Sequence, residues 1–349
     1  MSITIALDAM GGDHGPSEVV PAALYMLKRH PALSLILVGD KAIIEQELKE
    51  HMQDNDYASR LSLHPSSEVI AMDESPLQAL RNKKDSSMRV AIDFVKEGRA
   101  KACVSAGNTG ALMAIARFVL KTLEGIDRPA LTGLLPTTSL GIDTKVRLLD
   151  LGANVDSTVD HLFQFAVMGA VLSEAVDGVT QPRIAVLSNG KEEIKGNEVV
   201  KEVSKRLIAA KELNYIGYIE ADEIFSGRAD VVICDGFVGN VALKACEGIA
   251  RLIAHSMKQE FQRNWLTRMV GFSALPVLKS LVKRIDPARY NGASFIGLQG
   301  VVIKSHGSAK AMAFANAINE AMIESRKDVP QHISKKVAQL LQTTSSSEG

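Results

Sequence analysis

Short, continuously apolar runs alternate along the chain with longer stretches whose apolar residues recur at helical spacing. The short runs predict strands of a parallel sheet, because strands that are covered on both faces lack the usual alternation of polar and apolar side chains. The predicted strands are Ile3–Leu7, Leu33–Val38, Cys103–Val104, Leu131–Leu135, Val146–Leu149, Ile184–Leu187 and Val231–Cys234.

The stretches between these runs predict helices, with Ser17 and Ser157 as N-caps. The order of strand and helix predicts a Rossmann-like α/β fold, a three-layer α/β/α sandwich with helices on both faces of the sheet. Residues 1–335 are expected to form one α/β domain, and 336–349 a partly disordered tail. The predicted helices are Ser17–Arg29, Lys41–His51, Ser87–Glu97, Thr109–Leu120, Ser157–Ala175 and Asn197–Lys211.

Residues 258–289 break this pattern. The segment has seven basic and two acidic residues, a net charge of +5, and apolar side chains at helical spacing on both sides of Pro276. It predicts a kinked, basic, amphipathic helical hairpin. One interpretation is a core or dimer-forming helix pair, and the other is a membrane-surface element whose cations meet anionic lipid. In the second interpretation the membrane-contacting residues are Trp265, Met269, Phe272 and Leu275.

The composition excludes several classes of protein. A chain of 349 residues that is 46% hydrophobic is too apolar to be disordered. Forty basic residues balance forty acidic ones, so no global field attracts nucleic acid. The longest run without a charged residue, 102–116, is shorter than the roughly 18 apolar residues of a membrane span.

The chain shows no secretory signal and no metal-type spacing of cysteines. Met1–Ala6 leads directly into a strand pattern without a basic region or cleavage site, so we expect a cytoplasmic protein. The three cysteines, Cys103, Cys234 and Cys246, are odd in number and indicate buried small hydrophobic residues.

Two glycine-rich loops follow predicted strands, and ligands of open α/β sheets bind at strand carboxyl ends. The first is Asp8-Ala-Met-Gly-Gly-Asp-His-Gly-Pro16, and the second is Ser105-Ala-Gly-Asn-Thr-Gly110. Glycines allow close backbone approach, and free N–H groups at a helix start attract anions. The first loop could instead be only a tight turn. The candidate phosphate-binding residues are Gly11, Gly12, Asp13, Ser105, Gly107, Asn108, Thr109 and Gly110.

Four further loops carry polar residues at strand ends. Lys195 directly precedes a helix start, where a cation is unfavourable unless an anion lies between them. The cluster at Asp150-Leu-Gly-Ala-Asn-Val-Asp156 is equally well explained as an Asx-type turn. A lone histidine such as His306 is usually structural. The supporting candidates are Asp8, Asn154, Asn197, Asp235, Gly239 and His306, and Asn240 ends the loop Cys234-Asp-Gly-Phe-Val-Gly-Asn240.

Common catalytic motifs are missing from the sequence. It has no G-x-G-x-x-G, G-x-x-x-x-G-K-[ST], G-x-S-x-G or H-E-x-x-H. Residue patterns alone therefore predict an α/β protein that binds a small anion, with phosphate favoured, and they name no reaction.

At these loops the chain resembles the bacterial phosphate acyltransferase family, which transfers acyl groups from acyl carrier protein to phosphate. The matching blocks run in family order over about residues 3–325. They are Asp8–Pro16, Ser105–Ala111, Asp150–Asp156, Lys195–Asn197, Cys234–Asn240 and Gly300-Val-Val-Ile-Lys-Ser-His-Gly-Ser308.

The resemblance implies an activity, a fold and partners. Inorganic phosphate would attack the thioester of a long-chain acyl carrier protein and release acyl phosphate for a downstream glycerol-3-phosphate acyltransferase of phospholipid synthesis. The implied fold is similar to isocitrate and isopropylmalate dehydrogenases and to phosphotransacetylases. The resemblance also implies a homodimer, peripheral attachment to the inner face of the cell membrane, and no metal or other cofactor. It makes the membrane interpretation of 258–289 the favoured one.

The implied mechanism needs no protein nucleophile, because phosphate itself attacks. We expect Lys195 to meet phosphate or oxyanion charge and Asn240 to donate to the oxyanion. His14, oriented by Asp13, would protonate the leaving thiolate. The acidic carrier should dock on a basic surface, at 258–289 or at Arg81–Lys84.

Two alternatives remain. The first is a dehydrogenase of the same fold that uses a nicotinamide cofactor and a divalent metal held by Asp8, Asp150 and Asp235. The second is a non-enzymatic membrane scaffold that acts through its hairpin.

Overall fold

The structure is a computed structural model that describes residues 2–51, 59–138, 144–285 and 287–347. For 279–285, 287 and 340–347 it describes the backbone alone. The predicted hairpin positions in 279–287 and the tail residues 348–349 therefore lie wholly or partly outside the described residues.

The described residues form one mixed 11-stranded sheet in the order β3-β2-β1-β4-β11-β10-β5-β6-β9-β7-β8. The strands β1, β2, β3, β4 and β11 are parallel to one another, and so are β6, β7, β8 and β9. They are β1 (Ile3–Asp8), β2 (Leu33–Gly39), β3 (Leu61–Pro65), β4 (Ala102–Ser105), β5 (Ala130–Pro136), β6 (Lys145–Leu149), β7 (Ile184–Leu187), β8 (Tyr215–Ile219), β9 (Val231–Ile233), β10 (Ala293–Ile296) and β11 (Val301–Lys304).

Eleven α-helices are described, and they cover both faces of the sheet. They are α1 (Pro16–Arg29), α2 (Lys41–His51), α3 (Pro76–Asn82), α4 (Ser87–Lys96), α5 (Thr109–Leu120), α6 (Val159–Leu172), α7 (Glu198–Ala209), α8 (Gly236–Gln262), α9 (Trp265–Ile285), α10 (Ala311–Arg326) and α11 (Val329–Ser347). A π-helical turn, Ser173–Asp177, extends α6, and two 3-10 helices lie at Ala221–Ser226 and Pro287–Tyr290.

Three apolar clusters confirm the predicted three-layer α/β/α sandwich. On one face, α3, α4, α5 and Leu243 of α8 pack with inward residues of both halves of the sheet. On the other face, α1 and α10 cover the half around β1, while α6, α7 and α11 cover the half around β6. The helix α11 continues to Ser347, past the predicted domain boundary at residue 335.

The prediction of a parallel sheet is wrong at its centre. The strand β10 is antiparallel to β11 and to β5, and β5 is antiparallel to β6. The chain between β5 and β6, residues 137–144, is too short for the crossover that a parallel pair needs, which takes a dozen residues or more. The half around β6 therefore runs opposite to the half around β1.

This reversal places the polar loops at two opposite edges of the sheet, so the prediction that they share one edge is wrong. The loops after β1, β4 and β11 lie at the edge that we call edge one. The loops after β6, β7 and β9 lie at the opposite edge, called edge two. The helix α5 starts at edge one, and α8 starts at edge two, on the same face of the sheet.

Both predicted N-caps are wrong. The helix α1 is preceded by Gly15 as N-cap with Pro16 as its first residue, a position that suits proline because no intrahelical N–H bond is needed there. The helix α6 is capped by Thr158, which forms a reciprocal capping box with His161. Of the cysteines, Cys103 and Cys234 are buried as predicted, while Cys246 on α8 is only half-buried.

The predicted hairpin exists, but its boundaries and its break differ from the prediction. Its first arm is α8, which already starts at Gly236, and the turn to α9 is at Arg263–Asn264. Pro276 lies inside α9 and does not end it. Along α8, Gly236 and Gly239 of the first turns are the buried residues, so the helix packs on the sheet at its start and is increasingly exposed beyond it.

One described helical stretch, Val159–Asp177, has the length and composition to cross a membrane. It packs against α7, α11 and the sheet, and 61% of its most apolar window is buried inside the protein. The stretch Trp265–Leu278 of α9 is apolar but shorter than a span.

Candidate active site

At edge one, the glycine loops surround the carboxylate of Asp8, which is buried at the end of β1. Both oxygens accept short hydrogen bonds, one from Ser87 Oγ and one from Ser105 Oγ, each at 2.6 Å. Backbone N–H groups of Met10 and Gly11 also donate to this carboxylate. Burial nevertheless raises the pKa of Asp8, because a low-dielectric site disfavours the charged form.

The glycines at edge one allow the three loops to touch. A Cβ added at Gly12 would lie 2.8 Å from the Gly307 carbonyl oxygen, and Gly12 has a φ of 90°. The Asp13 N–H donates to that same oxygen at 2.8 Å. At Gly107, a Cβ would meet Met88 at 2.6 Å. These close contacts explain the glycines through packing around Asp8, in addition to the predicted contact with phosphate.

The polar candidates in the second loop have protein partners. Ser105 Oγ donates to Asp8 and accepts from the Gly107 N–H. Asn108 caps α5, accepting from the Ala111 N–H, and its Nδ2 donates to the carbonyls of Met72 and Glu74 at 2.9 Å. Thr109 and Gly110 begin α5 and are half-buried. The structure thus gives Ser105 and Asn108 the role of fixing the loops.

Asp13 and His14 lie exposed at the same edge. The described hydrogen bonds include none between their side chains, and His14 contributes its carbonyl oxygen as acceptor for Ser17 Oγ. The predicted roles of His14 as proton donor and of Asp13 in orienting it stay predictions.

Lys304, which sequence analysis did not select, lies at the centre of edge one. It ends β11 opposite Ser105 of β4, and only 7% of it is exposed. Its Nζ donates to the backbone carbonyls of Ala106, at 3.2 Å, and Ser305. Burial lowers the pKa of Lys304 to about 8, against the opposing effect of the Asp8 and Asp13 charges. The signal in the sequence was a lysine that ends an otherwise apolar strand.

Burial of Lys304 predicts a measurable pH dependence of stability. Because its pKa is lowered to about 8 from an ordinary 10.5, the unfolded chain holds one more proton than the native protein between these values. Its contribution to the free energy of unfolding should therefore rise with pH across this window, by at most about 1.4 kcal/mol per pH unit.

The variant Lys304→Met should lose this rise, with the exposed Lys310→Met as control. Urea unfolding at several pH values between 8 and 10.5 measures it. An unchanged slope in Lys304→Met would show that Lys304 is charged normally in the native protein.

His306, next to Lys304, is held by its own loop. Its backbone N–H donates to Asn291 Oδ1 at 2.8 Å, and its ring Nδ1 lies 3.0 Å from Ser308 Oγ. Burial lowers the pKa of His306, and Lys244 of α8 contributes in the same direction, while Glu247 opposes it. The helix α8 thus reaches from edge two to the charged groups of edge one.

At edge two, a second buried carboxylate organises the loop after β6. Asp150 accepts from the N–H groups of Leu131, Ala153 and Asn154, and from Asn154 Nδ2. Burial raises the pKa of Asp150. Asn154 also donates to the Pro129 carbonyl, and its own carbonyl accepts from the Gly236 N–H. The start of α8 is therefore fixed directly against this loop.

Asn240 lies in the first turns of α8, beside Gly152. A Cβ added at Gly152 would be 3.4 Å from Asn240 Cβ. Asn240 is exposed, and the described hydrogen bonds give its carboxamide no protein partner. Asp235 caps α8 by accepting from the Val238 N–H, and Gly239 packs directly on Asp150. Of the candidates here, Asn240 is thus the side chain available to a substrate.

Lys195 is half-buried in the loop after β7, also at edge two. Gly190 leaves room for its stem, because a Cβ there would lie 2.6 Å from Lys195 Cγ. Its Nζ has no ion-pair partner among the described residues. Asn197 caps α7 by accepting from the Val200 N–H through its Oδ1, and its predicted supporting role at the site stays a prediction. No described contact joins Lys195 to Asn240.

Sequence comparisons agree with the motifs in these loops. A family model described as "Fatty acid synthesis protein" matches residues 3–332. A phosphate acyltransferase of Alkalilimnicola ehrlichii is 60% identical over 340 residues, 97% of each chain. Another, of Nitrosococcus oceani, is 57% identical over 334 residues, 96% of each chain. The chain belongs to the phosphate acyltransferase family. Every candidate loop lies inside the region that matches this family.

Solved structures support the fold. A phosphotransacetylase from Streptococcus pyogenes superimposes with a TM-score of 0.61, covering 95% of this chain and 94% of that one at 20% identity. A branched-chain phosphotransacylase from Enterococcus faecalis gives 0.58, covering 93% and 99% at 15% identity. These likenesses confirm the expected similarity to the phosphotransacetylase fold.

Proposed function

We propose that the protein moves a long-chain fatty acyl group from acyl carrier protein to inorganic phosphate. The acyl phosphate would supply a downstream glycerol-3-phosphate acyltransferase in phospholipid synthesis. The observation that carries this proposal is the helix α8, which holds Asn240 in its first turns and continues as an exposed apolar arm. Family membership supports the phosphate acyltransferase activity, and the arm supports a long acyl chain.

The arm is unusually apolar for an exposed surface. On α8, Val241, Ile249, Leu252 and Ile253 are each at least half exposed. On α9 the exposed apolar side chains are Trp265, Leu266, Met269, Val270, Phe272, Leu275 and Val277. Contiguous exposed apolar residues mark contact with lipid or protein. A fatty acyl chain that leaves the Asn240 region would find this surface adjacent.

The cysteines do not favour a covalent acyl intermediate. Burial raises the pKa of the Cys103 and Cys234 thiols well above the usual range, and it also raises that of Cys246. A protonated, buried thiol is a poor nucleophile. Direct attack by phosphate on the thioester carbon fits these surroundings better.

In this mechanism, the phosphate oxygen bonds to the thioester carbon and the carrier thiolate leaves. Lys195 would meet the phosphate charge or the oxyanion, and Asn240 would donate to the oxyanion. His14 would return a proton to the thiolate. The polar groups of Lys195 and Asn240 lie at edge two and have no side-chain partner among the described residues. His14 lies at edge one, so it would act only if the substrate spans both edges.

The dehydrogenase alternative is not favoured. It needs Asp8, Asp150 and Asp235 to converge on one metal ion, and Asp8 lies at the edge opposite to the other two. The carboxylate oxygens of Asp8 and Asp150 are also occupied by hydrogen bonds from the protein.

A comparison of two acyl donors tests the proposal that acyl carrier protein is the donor. Purified protein is incubated with phosphate and either palmitoyl-acyl carrier protein or palmitoyl-coenzyme A, and the acyl phosphate is measured. We expect a much higher kcat/KM with the carrier protein, and a steep fall with added salt, because acidic carrier and basic surface attract each other. Preference for coenzyme A with a flat salt profile would refute the carrier as donor.

Peripheral membrane binding is also part of the proposal. The change Trp265→Ser, Met269→Ser and Phe272→Ser together should lower binding to anionic phospholipid vesicles at least tenfold, since each large apolar side chain contributes about 1.5–3 kcal/mol when buried. Ile208→Ser, at an apolar position on α7 that is 56% exposed, is the control. Vesicle sedimentation measures it. Equal binding of the triple variant and the wild type would exclude α9 as the membrane contact.

We include the expected homodimer and the cytoplasmic location in this proposal. The exposed faces of α8 and α9 could contact a second copy and a membrane at different positions along the arm.

A further inference from the structure

An open pocket of about 470 Å³ lies at edge two, between the second half of α5 and the loop that leads into α6. Its wall includes Arg117 of α5, Arg128 before β5, and Asn154. Asn154 joins the pocket to the candidate active site, because its carbonyl accepts from the first N–H of α8, four residues before Asn240. The other lining residues are Met113, Ala153, Val155, Asp156, Ser157, Thr158 and His161.

The two arginines of this pocket have no carboxylate partner among the described residues. The described polar contact of Arg117 is with the Asp127 backbone carbonyl at 3.5 Å, which is long for a hydrogen bond. Both side chains are exposed. Two guanidinium groups in one pocket offer forked donors that match the oxygens of a phosphate or carboxylate.

The start of α6 adds neutral donors to the same wall. Thr158 and His161 cap each other, and the Thr158 N–H donates to His161 Nδ1 at 3.2 Å. A neutral ring therefore carries its proton on Nε2, as a donor. Burial lowers the pKa of His161, and the charge of Arg128 acts in the same direction, which favours the neutral ring. Ser157 Oγ is buried with no hydrogen-bond partner among the described residues.

Acidic groups near the pocket are mostly occupied. Asp160 pairs with Arg206, and Asp127 accepts from Gln164 Nε2 at 2.8 Å. Asp156 lines the pocket without a described partner. The charged residues that line the pocket are two arginines and one aspartate, beside the positive end of the α6 dipole, while the charged carboxylate of Asp127 lies nearby and outside the lining.

We propose that this pocket binds a phosphate group, with Arg117 and Arg128 as its principal ligands. The ligand that brings this phosphate group is assigned from the proposed function. In that reaction it is either the attacking inorganic phosphate or the phosphodiester of the carrier's phosphopantetheine arm. Both carry the same tetrahedral oxygens. The hydrogen bond from the Gly236 N–H to the Asn154 carbonyl links the wall of this pocket to the helix that carries Asn240.

Direct binding tests the site without any activity. Inorganic phosphate is titrated into wild type, the double variant Arg117→Gln with Arg128→Gln, and the control Arg326→Gln, an exposed arginine on α10. Calorimetry should show a dissociation constant for phosphate at least tenfold higher in the double variant, with the control unchanged. If the double variant does not fold, the single variants Arg117→Lys and Arg128→Lys, which keep the charge and lose the fork, should each weaken binding severalfold.

Kinetics with matched acyl donors separates the two origins. If the pocket holds the attacking phosphate, the double variant raises the KM for phosphate and leaves that for the donor unchanged. If it holds the carrier arm, the wild type should prefer palmitoyl-phosphopantetheine to palmitoyl-pantetheine, which lacks the phosphate, and the double variant should lose this preference. If the pocket holds the carrier arm, phosphopantetheine should compete with inorganic phosphate for it. Calorimetry with inorganic phosphate then still reports on this pocket.

Unchanged phosphate binding together with unchanged KM values and donor preference would overturn the site. Lack of acyl transfer by the wild type, with phosphate binding still lost in the double variant, would refute the proposed function and leave the site standing.

Discussion

Replacing Asn240 by alanine should lower kcat by about 10²- to 10³-fold, the typical loss of one oxyanion donor. The carboxamide of Asn240 is exposed beside Gly152 and has no described protein partner. The carboxamides of Asn108, Asn154 and Asn197 are instead used in caps and loop contacts. Of these four asparagines, Asn240 is the one whose carboxamide oxygen and nitrogen both lack a described protein partner.

The measurement is single-turnover acyl transfer at saturating phosphate, with folding checked by circular dichroism. Asn214→Ala, an exposed asparagine before β8, is the matched control and should keep wild-type turnover. Asn240→Asp should be at least as slow as the alanine variant, because it replaces the donor by a negative charge. Near wild-type turnover in both Asn240 variants would remove this residue from the mechanism.

Lys195→Ala should act with Asn240→Ala on the same step. Lys195 has no ion-pair partner in the described part of the chain, and a cation near the start of α7 favours an anion between the two. Its loss should therefore raise the KM for phosphate, lower kcat, or do both. If the two single variants and their combination all retain turnover, the active site lies elsewhere, and edge one with Lys304 becomes the better candidate.

Gly239→Ala should destabilise the protein more than any other single methyl addition in α8. The added carbon would overlap the Asp150 carbonyl oxygen and lie 3.0 Å from Cys234 Sγ. The overlap is with backbone, so α8 must move away from the end of β6. Overpacking of this kind typically costs about 1–3 kcal/mol, and more where backbone is involved.

Gly248→Ala in the same helix is the matched control. A Cβ there meets nothing within 4 Å, so the change should stabilise the helix by up to about 1 kcal/mol. Urea unfolding compares the stability of the two variants. The fraction of Gly239→Ala that is still folded should transfer acyl groups more slowly, since Asn240 moves with α8. Equal stability of the two variants would contradict the described packing of α8 on Asp150.

Seven strands could be predicted from the sequence because they read as apolar runs, whereas β10 and β11 at the centre of the sheet were missed. The missed strands are short, as β10 and β11 are, or are the first and last strands of the sheet order, where the exposed Ser62 and the half-buried His64 of β3 interrupt the apolar run. Strand direction was not predictable from apolar runs, since it depends on connection length. The division of the candidate loops between two edges was therefore missed.

The glycine loops show a second limit. Residue patterns identified a place where N–H and hydroxyl donors converge, and the structure has such a place around Asp8. A sequence does not distinguish an external phosphate from a carboxylate of the same chain, because both attract the same donors. Likewise, Arg117 appears as one charged residue on the exposed side of an apolar helix, which is typical of surface helices and carries no signal for a pocket.

The most direct test of the central claim follows both products of one reaction. With palmitoyl-acyl carrier protein and phosphate, the free carrier thiol and palmitoyl phosphate should appear in equal amounts, and thiol release should cease when phosphate is omitted. Thiol release at the same rate without phosphate, with free palmitate as the product, would show that water rather than phosphate attacks, and would contradict the proposed function.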